Sequence, residues 1–551
     1  MNKKRFVWLP LIALLSLATL TCSLGSGADR PPRNAVVIQV TANTSLRPWL
    51  EEAVADFNAA GVETSGGKPV YVVLDLQEAG RAVIAMAESG ARPALWLPDD
   101  LVWANMLAGM GDGSFQGDCV SVAESPLVIA MWRPVAESLG WPGRSLGWLD
   151  IGSLAADPSA WAYYSGGQFG DSLRLGHTHP GLSGAGASTL VAVVQAAESK
   201  TEAVSVDDIQ QPIVQASVSA FEAAVSWFSS DTDDLGRTMQ QRGIGYLGAA
   251  VMYESTAVYY GSGDPEIVPI YPFEGTFVAA HPACLNSSAD GVTQEAARLF
   301  RDYLLGDEAQ QLALASGLRP VSANVPPGPP LDASRGVDLG QPEIIFGAPS
   351  VDALYAVQEL WQSARKDVNL VMLIDTSGSM RGDKMENARA AAIQFVQQMG
   401  DDDRITIIAF ATDPYVVVYN QPVGSGREQI IAALQGLVAR GETALYDAVA
   451  DGSSAIADTG SSQVSNAMIV LSDGLDNNSH RYQFNQSLID LAIANHTTVF
   501  TIAYGGDADE DLLAELADRA YGNFYLGDEA NIAAIYEEMS AAFGGSVGVG
   551  R

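Results

Sequence analysis

The chain has 551 residues, 48% hydrophobic and 8% aromatic, so it folds into packed domains and is too long for a single hydrophobic core. Its 65 Asp and Glu against 30 Lys and Arg give a net charge of −35, and a surface that acidic repels nucleic acid and anionic lipid headgroups. At least two domains are expected, in a protein whose charge suits an extracytoplasmic setting.

In chain order, Lys3, Lys4 and Arg5 come first, then an apolar run from Phe6 to about Leu20, then Cys22. A basic start and a short apolar core make a secretory signal, shorter than a membrane span. Cys22, followed by Ser23 and a Gly/Ser stretch, resembles a bacterial lipoprotein signal, although Thr19 and Thr21 stand where that pattern carries Leu and a small residue. The resemblance implies a signal over residues 1–22, lipidation of Cys22 and attachment to the membrane by that lipid. No later stretch approaches the roughly 18 continuous apolar residues of a spanning helix. Beyond the signal only Cys119 and Cys284 remain. Outside the cytoplasm such a pair is more often a disulfide than a redox or metal site.

Ala35–Thr41 reads as a buried strand, Trp49–Ala60 as a helix, Val70–Leu76 as a strand, Ala82–Ala87 as a helix and Ala94–Leu97 as a short strand. This alternation predicts an open parallel sheet. Ser125–Trp132 opens a second series, continuing through helices at Ser188–Ala197 and Ser219–Ser229. A long extended segment, Ile267–Ala280, and helix over Gly291–Ser316 follow.

Residues 35–321 resemble an extracellular solute-binding protein of the type 2 periplasmic fold. The resemblance rests on the strand and Thr/Ser turn at Thr41–Ser45, on LGHTHPGLSGAGASTL at Leu175–Leu190, and on the Gly-Leu-Arg-Pro ending of Ala296–Val321. It implies two lobes, crossings near Cys119–Ser125 and Pro269–Phe277, and a Cys119–Cys284 disulfide at the hinge. It also implies a cleft for a small solute. Hydroxyls and helix N-termini suit an anion there, with Thr44, Ser45, Ser183 and Ser188 as candidates by position. The same positions suit helix caps for Thr44, Ser45 and Ser183. His177 and His179 have no partner cluster to make them metal ligands.

Residues 322–366 begin with a Pro- and Gly-rich stretch, including Pro326, Pro327, Pro329 and Pro330, read as an extended spacer before a short helix at Val351–Arg365. From Val368 the pattern sharpens. Val368–Asp375 is an apolar run ending in a carboxylate, as in a strand buried on both faces. Helices are expected at Lys384–Met399, Gln429–Ala439, Thr443–Ala457, near Leu488–Ala494, Glu510–Ala520 and Ile532–Ala542. Strands are expected at Arg404–Phe410, Tyr415–Tyr419, Ala467–Asp473, Thr497–Tyr504 and Gly522–Tyr525. This is a doubly wound α/β domain, whose ligands belong at the carboxyl ends of its strands.

Three polar elements fall at such ends: Asp375-Thr376-Ser377-Gly378-Ser379, Thr443 at a helix start, and Asp473 after a strand. Carboxylates and hydroxyls alone are the chemistry of a hard cation. The set is similar to the metal-ion-dependent adhesion site of von Willebrand factor A domains, over about residues 367–545. That resemblance implies Mg²⁺ (or Mn²⁺ or Ca²⁺) held by Asp375, Ser377, Ser379, Thr443 and Asp473. A carboxylate of a protein partner would complete the ion's shell. Asp447 is read as a support of that site or a helix-terminus charge. Arg381-Gly382-Asp383 is read as an ordinary turn, and Asp401-Asp402-Asp403 as a solvated turn.

No Gly-x-Ser-x-Gly, His-Glu-x-x-His or phosphate loop is present, so no enzyme is indicated. The expected fold is α/β, a two-lobed periplasmic-binding-protein-like module followed by a doubly wound, Rossmann-like domain. The expected function is that of a lipid-anchored, cell-surface binding protein with a metal-dependent protein partner. A transport receptor with an accessory metal domain and an envelope assembly scaffold are the alternatives.

Overall fold

Apolar runs form strands that assort into three sheets, one for each lobe of the first module and one for the C-terminal domain. The computed structural model describes residues 30–461, 463–546 and 548–549; the signal segment and Cys22 lie outside them. No helix among the described residues is long and apolar enough to cross a membrane.

The first lobe centres on Val36–Ala42, which pairs in parallel with Val70–Leu76 and Leu95–Leu97. Pro282–Leu285 and Cys119–Ser121 complete the sheet on the other side. The second lobe is built around Ala123–Trp132, with Ala249–Tyr253, Leu175–Thr178 and Val225–Ser229 beyond it in order. The chain thus enters the second lobe between Ser121 and Ala123, as expected. It returns between Ala279 and Pro282, later than the expected Pro269–Phe277. The expected extended segment over Ile267–Ala280 is in fact two short strands, Ile267–Ile270 and Val278–Ala279, around a turn. The helix expected at Ser219–Ser229 ends at Glu222, and Val225–Ser229 is a strand. Its Trp227 and Phe228 are buried.

Cys119 and Cys284 lie opposite each other on antiparallel neighbours and are joined by a disulfide, with Cα atoms 4.0 Å apart. The bond closes a loop of 165 residues that contains the whole second lobe. Chain entropy puts its contribution at up to about 5 kcal/mol. Cys119→Ser with Cys284→Ser is therefore expected to lower the urea midpoint of the first module markedly, and reductant is expected to do the same to the unmutated protein.

The segment expected as a spacer folds back instead. Thr276 N–H donates to Ile344 O (3.1 Å) and Phe346 N–H to Thr276 O (2.9 Å). Leu331 and Val337 bury against Val258, and Phe346 packs on Phe277 with ring centroids 5.6 Å apart. Proline content favours extended backbone, but these widely spaced apolar anchors hold that backbone against the second lobe. The helix Val351–Ala364 then lies on helices of the second lobe, Gly184–Glu198 among them.

The third sheet runs Pro414–Pro422, Arg404–Phe410, Val368–Asp375, Ser465–Ser472, Thr498–Tyr504, Phe524–Gly527, all parallel except the first pair. Val368–Asp375 is buried along its whole length, because helices cover both faces. The last helix, Ile532–Ala542, covers Asp383–Gln398. Asp403 is not part of a solvated turn: it is buried, pairs with Arg365 at 3.0 Å and accepts the Val368 N–H at 2.9 Å.

The two modules are interlocked. His179 Nε2 meets Gly545 O at 2.9 Å while its Nδ1 accepts the Gly181 N–H at 3.0 Å, so the ring is neutral with its proton on Nε2. Burial holds this imidazole down to about 3. Trp361 stands edge-on to His179 (4.7 Å) and Phe228 (5.2 Å) and donates to buried Glu222 at 3.2 Å. Glu222 also meets His177 Nε2 at 3.0 Å. Arg81 of the first lobe reaches Glu537 on the last helix at 3.1 Å.

Candidate metal centre and interlobe cleft

Parallel register places the C-terminal constellation. Asp375 lies opposite Phe410 and Ile374 opposite Leu471, so the loops after the two central strands leave side by side. Ser377 N–H turns back to Asp375 Oδ1 at 2.8 Å. Gly378 N–H donates to Gly441 O at 3.0 Å, tying this loop to the one that carries Thr443. Gly441 has φ +88°, and a Cβ there would lie 2.6 Å from Thr412 Oγ1, so both its backbone and the space around it require glycine.

The five expected residues converge. Ser379 Oγ donates to Asp473 Oδ1 at 2.6 Å and lies 2.9 Å from Ser377 Oγ. Thr443 Oγ1 is 3.8 Å from where a Cβ on Gly474 would stand, beside Asp473. Asp375 and Asp473 are fully buried, Ser377 and Thr443 nearly so, and Ser379 is exposed. Burial, reinforced by the charge of Asp473, pushes the Asp375 carboxyl up to about 6. Two buried carboxylates thus share one nearby cation, the Lys384 ammonium 2.7 Å from Asp473 Oδ2. An all-oxygen set with negative charge in excess fits a hard divalent cation.

Three supports, Ser472, Lys384 and Asn477, were not legible from spacing. Ser472 Oγ donates to Asp375 Oδ2 at 2.7 Å, fixing the carboxylate. Lys384 lies on the first turn of the following helix. Asn477 and Thr443 bind each other reciprocally, Thr443 N–H to Asn477 Oδ1 at 2.8 Å and Asn477 N–H to Thr443 O at 3.0 Å. Asp447, which the sequence does offer as a support, accepts the N–H groups of His480, Arg481 and Tyr482 at 3.1, 3.0 and 2.9 Å and so clamps that loop. Asp383 of the Arg-Gly-Asp tripeptide begins a helix.

The cleft departs from expectation. Thr44 Oγ1 donates to Glu78 Oε1 at 2.5 Å, and across the cleft Thr232 N–H donates to the same oxygen at 2.8 Å. Asn43 Nδ2 donates to Glu78 Oε2 at 3.1 Å. Of the hydroxyls expected to hold a solute anion, that of Thr44 is taken by the protein's own buried carboxylate, and the lobes are closed on it. Ser45 Oγ donates to Asn43 (2.6 Å), and Ser183 Oγ accepts from Thr178 (2.9 Å). Of the four expected ligand residues, Ser188 lines the cavity that remains. Glu78→Ala would leave the Thr44 hydroxyl and Asn43 Nδ2 without an acceptor, each costing about 1–3 kcal/mol unless water enters, and would leave Thr232 N–H only its longer bond to Thr44 Oγ1 at 3.2 Å. The lobes of that variant are expected to part, seen as a larger radius of gyration by small-angle scattering.

Residues 369–538 match the von Willebrand factor type A domain family, and residues 38–319, just over half the chain, match the bacterial extracellular solute-binding protein family. A curated relative, the uncharacterized protein sll0103 of Synechocystis sp., is 31% identical over 159 residues, which are 29% of this chain and 37% of that protein. The chain therefore spans well under half of that relative. Among solved structures, a von Willebrand factor type A protein from Catenulispora acidiphila is 26% identical, covering 32% of this chain and 42% of that one at a TM-score of 0.30. The sulfate-binding protein SubI from Mycobacterium tuberculosis is 17% identical, covering 52% and 88% at a TM-score of 0.38.

Proposed function

Because the chain belongs to the bacterial extracellular solute-binding protein family and carries a C-terminal von Willebrand factor type A domain, we propose that it is an extracytoplasmic, lipid-anchored binding protein that grips a protein partner through a divalent cation. Asp375, Ser377, Ser379, Thr443 and Asp473 would hold Mg²⁺, or Mn²⁺ or Ca²⁺ in its place. When bound, the ion supplies an open coordination position for a partner's Glu or Asp. This chain's own residues do the rest. Ser472 orients Asp375, Asn477 sets the Thr443 loop, and exposed Ser379 leaves the site open to the surface.

The observation that carries this reading is the convergence of two buried carboxylates with three hydroxyls at adjoining strand ends, where one ammonium leaves negative charge in excess. Few charged ligands leave a divalent ion able to accept an outside carboxylate. Calorimetric titration of Mg²⁺, Mn²⁺ and Ca²⁺ into the protein tests it. One saturable site is expected, and its absence for all three ions would remove the adhesion mechanism. A solute receptor for a transport system is the second reading, favoured by the cavity between the lobes.

A further inference from the structure

Between the lobes lies a cavity of about 70 Å³, walled by Asp99, Asp100 and Trp103 of the first lobe and Ser188 and Tyr253 of the second. Phe277 of the second lobe and Phe346 of the folded-back segment close it. Trp103, Tyr253, Phe277 and Phe346 are all buried. Asp99 is 1% exposed. Its Oδ2 accepts from Tyr253 Oη at 2.6 Å, but its Oδ1 has no hydrogen-bond partner. None of the residues lining the cavity is Lys, Arg or His.

A buried carboxylate oxygen without a donor is costly, and here no protein cation answers it. Aromatic faces attract cations through their quadrupoles, most strongly where water is excluded, and this is how quaternary ammonium groups are recognised. Glu78, meanwhile, already occupies the Thr44 hydroxyl and the Thr232 N–H, donors that would favour an anion. We propose that the interlobe cavity binds a small organic ammonium ion, with Asp99 and Asp100 supplying the counter-charge and Trp103, Tyr253, Phe277 and Phe346 the aromatic cage. A volume of about 70 Å³, at roughly 10–15 Å³ for each water-sized atom, suits a ligand of at most about seven non-hydrogen atoms. The inference takes from the solute-binding reading only the location of the site, and it is independent of the metal centre.

The groups facing Asp99 are Glu78, Asp100 and the Tyr253 hydroxyl, and burial together with the Glu78 charge raises its carboxyl to about 7. A cation is held by the ionised form, so affinity rises with pH through that value. Between pH 6 and pH 8 the ionised fraction changes about tenfold, and so does the expected affinity.

The test is a titration of methylammonium, tetramethylammonium and choline chlorides into the full chain, in EDTA, read by calorimetry and tryptophan fluorescence against sulfate at equal ionic strength. Saturable binding of at least one ammonium ion is expected. It should weaken at least tenfold in Asp99→Asn and several-fold in Asp100→Asn, with sulfate inert. No binding of any of the three, unchanged affinity in both variants, or competition by sulfate would overturn the proposal. A separate Mg²⁺ titration without EDTA reads the metal centre, so failure of one site is distinguishable from failure of the other.

Discussion

Saturating Mg²⁺ is expected to raise the thermal midpoint of the C-terminal domain by several degrees, and Asp375→Ala with Ser377→Ala is expected to abolish the shift. An ion that binds the folded state alone adds about 2.7 kcal/mol at a concentration about 100 times its dissociation constant. In a domain of this size each kcal/mol moves the midpoint by about 2–4 °C. The double variant removes the carboxylate that Ser472 orients and the hydroxyl that touches Ser379. Loss of orienting partners alone typically costs 10–100-fold in metal affinity, and loss of the ligands themselves costs more. Differential scanning fluorimetry with and without EDTA reads the result. A shift that survives in the double variant would place the ion elsewhere.

Trp361→Ala is expected to be the most damaging single change outside that centre. The side chain is buried between the modules, packed on His179 and Phe228 and bonded to Glu222. Truncating a buried Trp costs about 3–5 kcal/mol, and Glu222 would lose a donor in a site it shares with His177. The loss falls on the contact between modules rather than on either core. In calorimetric unfolding the transitions of the two modules are therefore expected to move further apart, with the lower midpoint reduced. An unchanged separation between the two transitions would show that the junction does not couple the domains.

Much of the C-terminal domain was legible in the sequence because its signals are local. Val368–Asp375 was read to the residue, since a buried parallel strand is a continuous apolar run. The convergence of Asp375, Ser377, Ser379, Thr443 and Asp473 was legible for the same reason: strand ends in a parallel sheet lie together. The first module was harder. Leu175–Thr178 is a strand of four residues next to a helix start, too short for its period to register. Val225–Ser229 was merged with the helix before it because both are apolar. Glu78 and Asp99 look like ordinary surface carboxylates in sequence. Only lobe closure reveals that one caps the opposing lobe and the other stands in the cavity. The folding back of residues 322–350 rests on single apolar residues at irregular spacing, which periodicity does not detect.

That folding back and the His179–Trp361 junction change the picture of the whole chain. An adhesion domain on a spacer would act alone. Here the last helix of the C-terminal domain contacts Arg81 and packs Ala541 against Leu182, whose carbonyl accepts the Gly80 and Arg81 N–H groups across the lobes. The two modules thus share a packed, hydrogen-bonded contact.

The most direct test of the metal centre is anomalous diffraction from a crystal of the full chain grown in Mn²⁺. One strong peak is expected within bonding or single-water reach of Ser377 Oγ, Ser379 Oγ, Thr443 Oγ1, Asp375 and Asp473. A crystal at saturating Mn²⁺ with no peak there, or with the Lys384 ammonium still the only cation on Asp473, would contradict that expectation.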